Sequence, residues 1–338
     1  MDETEWIPQL KKKFGIFSSI LIFLASGFAL LVVAIVAAIL TLPDVRVLER
    51  CFTTSMYEVK LCPESENYAK LRAISPYMIH AVIVAEDGAF YSHEGFDWHE
   101  MQESFEQNLR TGHIQRGGST LTQQLAKNVF LGKEKSIWRK LKEAYLAHAI
   151  EKHYKKDFIL EKYLNVVEFG EGIYGVRPAA LHYFHKSPAE LNPLEAAYLA
   201  FLLPNPKGYS KNFRAGKLTP FTRKTVSTIL KRMEAYGKLS PQGYALAMAQ
   251  MPNFPWTGVS ASAFEGAPSY SVDSAAPRAG FSDPIGEENA LDEVVHEDQR
   301  SAPMPPAQQP AFETPNPPPG DPPLADPPPG DTQTTTEE

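Results

Sequence analysis

The chain has 338 residues and a net charge of −7, long enough to bury a sizeable core in one or two domains. From Val259 onward there are 15 acidic residues against two basic ones, Arg278 and Arg300, a net of −13 that leaves +6 on residues 1–258. A mildly basic folded part suits an anionic membrane or an anionic substrate, although a solvated surface explains it equally well. The two cysteines, Cys51 and Cys62, have no metal-ligand spacing and argue against a cysteine-built metal centre.

Residues Phe14 to Leu42 carry no charge and are almost wholly apolar. A bilayer span needs about 20 such residues. A cleavable signal has a shorter apolar core of about 7–15 residues, so a retained anchor is expected. Lys11, Lys12 and Lys13 precede the run and place the N-terminus inside. The expected divisions are a basic cytoplasmic segment at 1–13, a transmembrane anchor at 14–42 and an extracytoplasmic connector at 43–70. In the connector, Cys51 and Cys62 would form a local disulfide or remain free thiols. The closed loop would restrict the unfolded chain by roughly 3 kcal/mol in the chain-entropy account.

A mainly helical domain is expected over 71–257. Ser75-Pro76 reads as a helix start, a capping residue followed by proline at the first helical position. Ile79, Val82, Ile83 and Glu86 then recur on roughly one face. Thr120-Leu121-Thr122-Gln123 fits a capping box, and Leu121, Leu125 and Val129 follow at helical spacing. Ser136 to Asn165 contains no glycine or proline, which predicts one long helix or two in succession. Asn192-Pro193-Leu194-Glu195 starts another that stops at Pro204. Little sheet is expected. From 258 to 338 proline and acidic residues dominate, and such a composition favours disorder. A solvated tail is the simplest reading of it.

Three strings carry candidate chemistry. Glu86-Asp87-Gly88-Ala89-Phe90-Tyr91-Ser92-His93-Glu94-Gly95 puts two acids at the end of an apolar helix. A carboxylate there is partly desolvated and can act as a base, though acids also end helices for structural reasons. Arg116-Gly117-Gly118-Ser119-Thr120-Leu121-Thr122-Gln123-Gln124 brings glycines and hydroxyls to a helix N-terminus, a natural phosphate site, with Lys127 and Asn128 one turn on. Lys135, Arg139 and Glu143 are spaced by four, with Lys142 beside the last. They form either a phosphate-facing cation set or an ordinary salt-bridge ladder.

Together these strings resemble the family 51 glycosyltransferases, which include monofunctional peptidoglycan transglycosylases and the transglycosylase domain of penicillin-binding proteins. Glu86 to Gly95 is similar to the family's Glu-Asp-x-x-Phe-x-x-His-x-Gly. Gly117 to Gln124 is similar to its Gly-Gly-Ser-Thr-x-Thr-Gln-Gln. Arg139, Lys140 and Glu143 match Arg-Lys-x-x-Glu. Lys156 to Asn165 with Gly170, Tyr174 and Gly175, and Leu194 to Pro204, resemble the last two motifs.

The resemblance implies a lysozyme-like helical fold with a small membrane-facing jaw between the first two motifs. There Trp98, Met101, Phe105 and Leu109 form a stripe that would enter lipid or pack on the core. It also implies an inverting polymerase of lipid II, with lipid II, the growing glycan and the cytoplasmic membrane as partners and no nucleic acid. Other wall-synthesis proteins are candidate partners through the tail. The enzyme would be single-pass, with its catalytic domain outside. Glu86 and Glu143 are the implied catalytic residues. Asp87, Phe90, His93, Gly118, Ser119, Thr120, Gln123, Gln124, Lys127, Asn128, Lys135, Arg139 and Lys142 are implied at the sugar and pyrophosphate. No cofactor is required with certainty; a divalent cation (Mg or Mn), held by Glu143, is left open. A lysozyme-like cleaving enzyme and a non-enzymatic scaffold are the competing expectations.

Overall fold

A computed structural model describes residues 6–111 and 118–264. Parts of the basic N-terminus, Arg116 and Gly117, and most of the acidic tail lie outside the described residues. Helix α1 runs Trp6–Leu40. Within it Phe17–Ala37, 21 residues, has no buried part and is apolar enough to cross a membrane. At about 1.5 Å per residue this stretch matches a hydrocarbon core of about 30 Å.

After α1 a short turn at Val45–Glu49 leads into a hairpin of β1 (Phe52–Thr53) and β2 (Lys60–Leu61), paired antiparallel. Cys51 and Cys62 are joined by a disulfide at its base, so the open choice between bridge and free thiols resolves to the bridge. Val45, Leu48, Phe52, Leu61 and Tyr68 are all buried. The connector therefore packs on the domain, and the common core extends N-terminal to the expected 71–257 span.

Helix α2 (Pro76–Glu86) is the centre of the fold. Every residue from Tyr77 to Val84 is buried, so the helix is enclosed rather than amphipathic as its spacing suggested. Each such Ile, Val or Met contributes about 1.5–3 kcal/mol on leaving water. The start at Ser75-Pro76 is where the sequence places it, but the Ser75 hydroxyl does not cap the helix. It donates to the Leu191 carbonyl at 2.7 Å, and Ser75 N–H donates to Pro188 at 2.9 Å. Tertiary partners outcompete the local cap there.

The remaining helices follow in order: α3 (Trp98–Thr111), α4 (Leu121–Phe130), α5 (Ile137–His153), α6 (Lys156–Val166), α7 (Val176–Phe184), α8 (Pro193–Leu202), α9 (Pro206–Tyr209), α10 (Lys211–Arg214), α11 (Pro220–Ala235) and α12 (Pro241–Gln250). The glycine-free run from Ser136 thus forms two helices, broken at Tyr154-Lys155. Capping boxes at Thr120/Gln123 and Asn192/Glu195 are both formed. The described sheet is limited to β1–β2 and a bulged pair, β3 (Glu168–Gly170) and β4 (Ile173–Tyr174). Helix α2 packs on α8 and α11, while α4 packs on α5 and α6. Gly175 starts α7 at φ 87°, where a side chain would lie 2.9 Å from the Asn165 carbonyl. Both the left-handed backbone and the close approach demand glycine.

Residues 251–264 fold back onto this core. Trp256 and Phe264 are buried, and the Phe264 carbonyl accepts from the Tyr77 hydroxyl at 2.7 Å. The Val259 carbonyl accepts from Lys186 at 2.8 Å and from Asn192 at 3.0 Å. The packed chain therefore continues past residue 257. Phe264→Ala is expected to lower the unfolding free energy by about 3 kcal/mol, as for other large-to-small core changes. Ala263→Ser, at an exposed neighbour, should stay within about 0.5 kcal/mol. Urea midpoints of the two variants against the parent check this.

Candidate active site

The last residue of α2 is Glu86. It is half-buried, and its Oε2 accepts from the Gln124 side-chain amide at 2.8 Å. The Gln124 carbonyl oxygen in turn accepts from the buried Tyr163 hydroxyl at 3.1 Å. That bond fixes the amide so that its NH2 faces Glu86. Burial raises the Glu86 carboxyl above the usual carboxylate range, and neighbouring Asp87 adds to the rise. The Gln124 hydrogen bond and the Lys127 charge only partly oppose it. The C-terminal end of a helix also favours the uncharged acid.

Lys127 lies one turn beyond Gln123 on α4. Burial lowers its ammonium below the ordinary lysine value, Glu143 acts against that, and Lys140 and Arg139 act with it. Glu86 is also within its electrostatic reach. Lys127 therefore connects the carboxylate at the end of α2 to a second group on α5.

That second group centres on Glu143, which is buried. Lys140 bonds its Oε1 at 2.5 Å, and Arg139 Nη1 lies 3.5 Å from its Oε2. Lys140 also donates to the Ser119 hydroxyl at 2.9 Å, drawing the loop before α4 against α5. Both oxygens of Glu143 thus face cations, which does not fit a role as a divalent-metal ligand. Among the described residues no three metal-ligating side chains gather.

Four elements of the first two motifs meet at the N-terminus of α4. The Asp87 carboxylate is buried. It accepts from Leu121 N–H at 2.9 Å and from His93 Nε2 at 2.9 Å. His93 Nδ1 accepts from Gly95 N–H at 3.1 Å, which assigns the proton to Nε2. Thr120 donates its hydroxyl to the Gly95 carbonyl at 2.8 Å while accepting from Gln123 N–H. Phe90 is fully buried beneath the Lys156 ammonium, 4.6 Å from its ring centre. Lys156 pairs with Glu151 at 2.6 Å, and Glu151 also accepts from the Thr122 hydroxyl. Gly118 approaches α3, where a Cβ would lie 3.3 Å from Met101.

The structure brings together Glu86, Gln124, Lys127, Ser119, Arg139 and Glu143. Asp87, Phe90, His93, Thr120 and Gln123 sit beneath them, and their polar atoms bond protein partners. Asn128 is buried. Lys135 and Lys142 do not join the cluster. Lys135 precedes the Ser136 cap and so is not on the α5 stripe that its spacing implied, and both lysines are exposed. Lys140 takes the place expected of Lys142. Its three-residue spacing to Glu143, within Arg-Lys-x-x-Glu, was the available signal. Tyr163, Glu151 and Lys156 gave no local sign of their contacts.

The transglycosylase family profile matches residues 54–234. A biosynthetic peptidoglycan transglycosylase of Methylobacillus flagellatus is 45% identical over 148 residues, 44% of this chain and 65% of that protein. One from Aromatoleum aromaticum is 51% identical over 140 residues, 41% of this chain and 61% of that protein. One from Chromobacterium violaceum is 42% identical over 180 residues, 52% of this chain and 77% of that protein. The matched segment thus spans less than two thirds of the first two relatives. With the profile covering more than half of the chain and the motif residues gathered around α4, this chain belongs to the transglycosylase family.

Proposed function

We propose that this chain polymerises lipid II into glycan strands, with Glu86 as general base and the Glu143 cluster receiving the pyrophosphate. The observation that carries this reading is the position of Lys127, in electrostatic reach of both the desolvated Glu86 and the Arg139–Glu143–Lys140 cluster. The names of its relatives, biosynthetic peptidoglycan transglycosylases, support the substrate class.

In the proposed step the acceptor 4-hydroxyl attacks the donor anomeric carbon. Glu86 takes the hydroxyl proton as the new carbon–oxygen bond forms. The bond from the anomeric carbon to the pyrophosphate breaks on the opposite face, giving inversion. The electron pair leaves on undecaprenyl pyrophosphate, where Lys127, Arg139 and Lys140 stabilise the developing charge. A pyrophosphate is already a good leaving group, so a strong general acid is not needed. Gln124 holds Glu86 in place, and Ser119 is placed for the sugar or phosphate oxygens. Asp87, His93, Thr120 and Gln123 orient α4 from behind.

The catalytic domain is proposed to face outward from the cytoplasmic membrane. The apolar Phe17–Ala37 segment supports anchoring, and the Cys51–Cys62 bridge supports an oxidising compartment. Two helices present apolar residues to solvent: Trp98, Phe105 and Leu109 on α3, and Ile137, Trp138, Leu141 and Tyr145 on α5. Such faces suit a bilayer surface. The first coincides with the expected jaw. Protease added to intact spheroplasts is expected to digest the region beyond Pro43, and its protection would reverse the orientation.

Glu86→Gln keeps the shape of the side chain but cannot accept the proton. Polymer formation from labelled lipid II is expected to fall at least about 10²-fold, within the usual range for a general base, with melting unchanged. A folded variant with near-normal turnover would remove Glu86 from the base role. Glu143→Gln is expected to weaken binding of a substrate-like phosphoglycolipid as well as turnover, because Arg139 and Lys140 lose their shared anchor.

The pH profile follows from the same burial. The base works deprotonated, so activity should rise as pH climbs through a Glu86 value above the usual carboxylate range. Lys127 works protonated, so activity should fall as pH passes a value below that of free lysine. The result is a bell narrower than the two free groups would give. Lys127→Arg, always charged, should move the alkaline limb upward if the charge is what matters, as read from initial rates across pH.

A further inference from the structure

The search for groups outside the proposed chemistry leads to the hairpin between the membrane anchor and the domain. Helix α4 carries Gln124 and Lys127, so its placement sets the geometry of both. Its N-terminus is held by Asp87 and the Thr120 capping box. Its C-terminus has the general problem of helix ends, carbonyls with no partner in the helix. Two of these, on Asn128 and Val129, accept from Met56 N–H at 3.3 Å and Ser55 N–H at 2.8 Å. Both donors lie in the turn of the hairpin β1–β2.

That turn is itself held tightly. Thr54 is buried, its hydroxyl accepts from Val59 N–H at 3.1 Å, and its backbone bonds both Glu58 and Val59. The ring of Tyr57 packs on Tyr174 of β4 at 4.9 Å between centroids. At the other end Cys51–Cys62 closes the strands, and Phe52 and Leu61 bury their side chains. The hairpin is thus fixed at its base, along its apolar face and at its tip, and its tip grips the end of α4.

We propose that the disulfide-closed hairpin is a positioning clamp for α4, in which the Ser55 and Met56 amides hold the helix end so that Gln124 and Lys127 stay in register with Glu86 and Glu143. Its catalytic consequence rests on the function proposed above, whereas the clamp itself rests only on the contacts. Ser55 and Met56 act through α4 and touch no reacting group. Opening the bridge lets the hairpin tip wander, the last turn of α4 frays, and Lys127 in that turn loses its fixed place.

The test uses the full-length chain in detergent, with the double variant Cys51→Ser/Cys62→Ser and the single variants Ser55→Pro and Ser55→Ala. Proline removes the donor to Val129, whereas alanine keeps it. Amide hydrogen exchange over 125–131 reads the clamp without reference to activity. Exchange there is expected to quicken about tenfold in the disulfide-free and proline variants, while α11 is unchanged, as for a local opening. With lipid II, kcat is expected to fall about fivefold or more at a KM within about twofold, as misplaced catalytic groups lower rate more than binding. Ser55→Ala should match the parent in both readouts.

Unchanged exchange in α4 without the disulfide would overturn the clamp. Faster exchange with an unchanged kcat would overturn its catalytic role. If the parent itself makes no polymer, the functional reading fails, and the exchange arm still decides whether the hairpin holds α4.

Discussion

Asp87 sits where α2 ends and binds the first helical amide of α4, with a single carboxylate serving Leu121 N–H and His93 Nε2. The group is buried, so these donors replace the water it gave up on folding. Removing it would strand one amide and one imidazole donor inside the protein, and unsatisfied buried donors cost about 1–3 kcal/mol each. The rest of the site depends on this junction. The neighbouring residue, Glu86, inherits its position from Asp87, and α4 inherits its direction from the same contact. The Thr120–Gly95 bond and the His93–Gly95 bond then fold the intervening chain around the junction.

Around that junction the protein treats two carboxylates differently. Glu143 is buried but flanked by Arg139 and Lys140, so its charge is compensated at short range. Glu86 has a neutral amide for its hydrogen-bond partner and a lysine only at a distance. Desolvation therefore dominates at Glu86, and its carboxyl rises. One group is suited to taking a proton and the other to organising cations. The difference arises from the residues that each helix places beside it.

The core also explains why the site is rigid where it needs to be. Helices α2 and α8 are buried along their length, and the residues that follow the family match, up to Phe264, close over them. On α3 and on one face of α5, large apolar side chains remain exposed. Those helices border the cation cluster, so the part of the molecule that meets a lipid-linked substrate is also the part with apolar surface to offer.

The sequence by itself determined the features that local chemistry specifies. The apolar run of α1, both capping boxes and the helical content follow from composition and from spacings of three and four residues. The motif strings located Glu86, Gln124, Lys127, Arg139 and Glu143, which do gather around α4. Tertiary structure alone decided the contacts between residues far apart in the chain. It turned the Ser75 hydroxyl from its own helix to Leu191. It placed Lys140 rather than Lys142 between Glu143 and Ser119, because their rotation about α5 puts one toward α4 and the other toward solvent. It brought Tyr163 to Gln124 across 39 positions and Phe264 to Tyr77 across 187. Such pairings leave no period in the sequence, since they depend on how whole helices pack, and packing is set by the summed burial of many residues rather than by any local pattern.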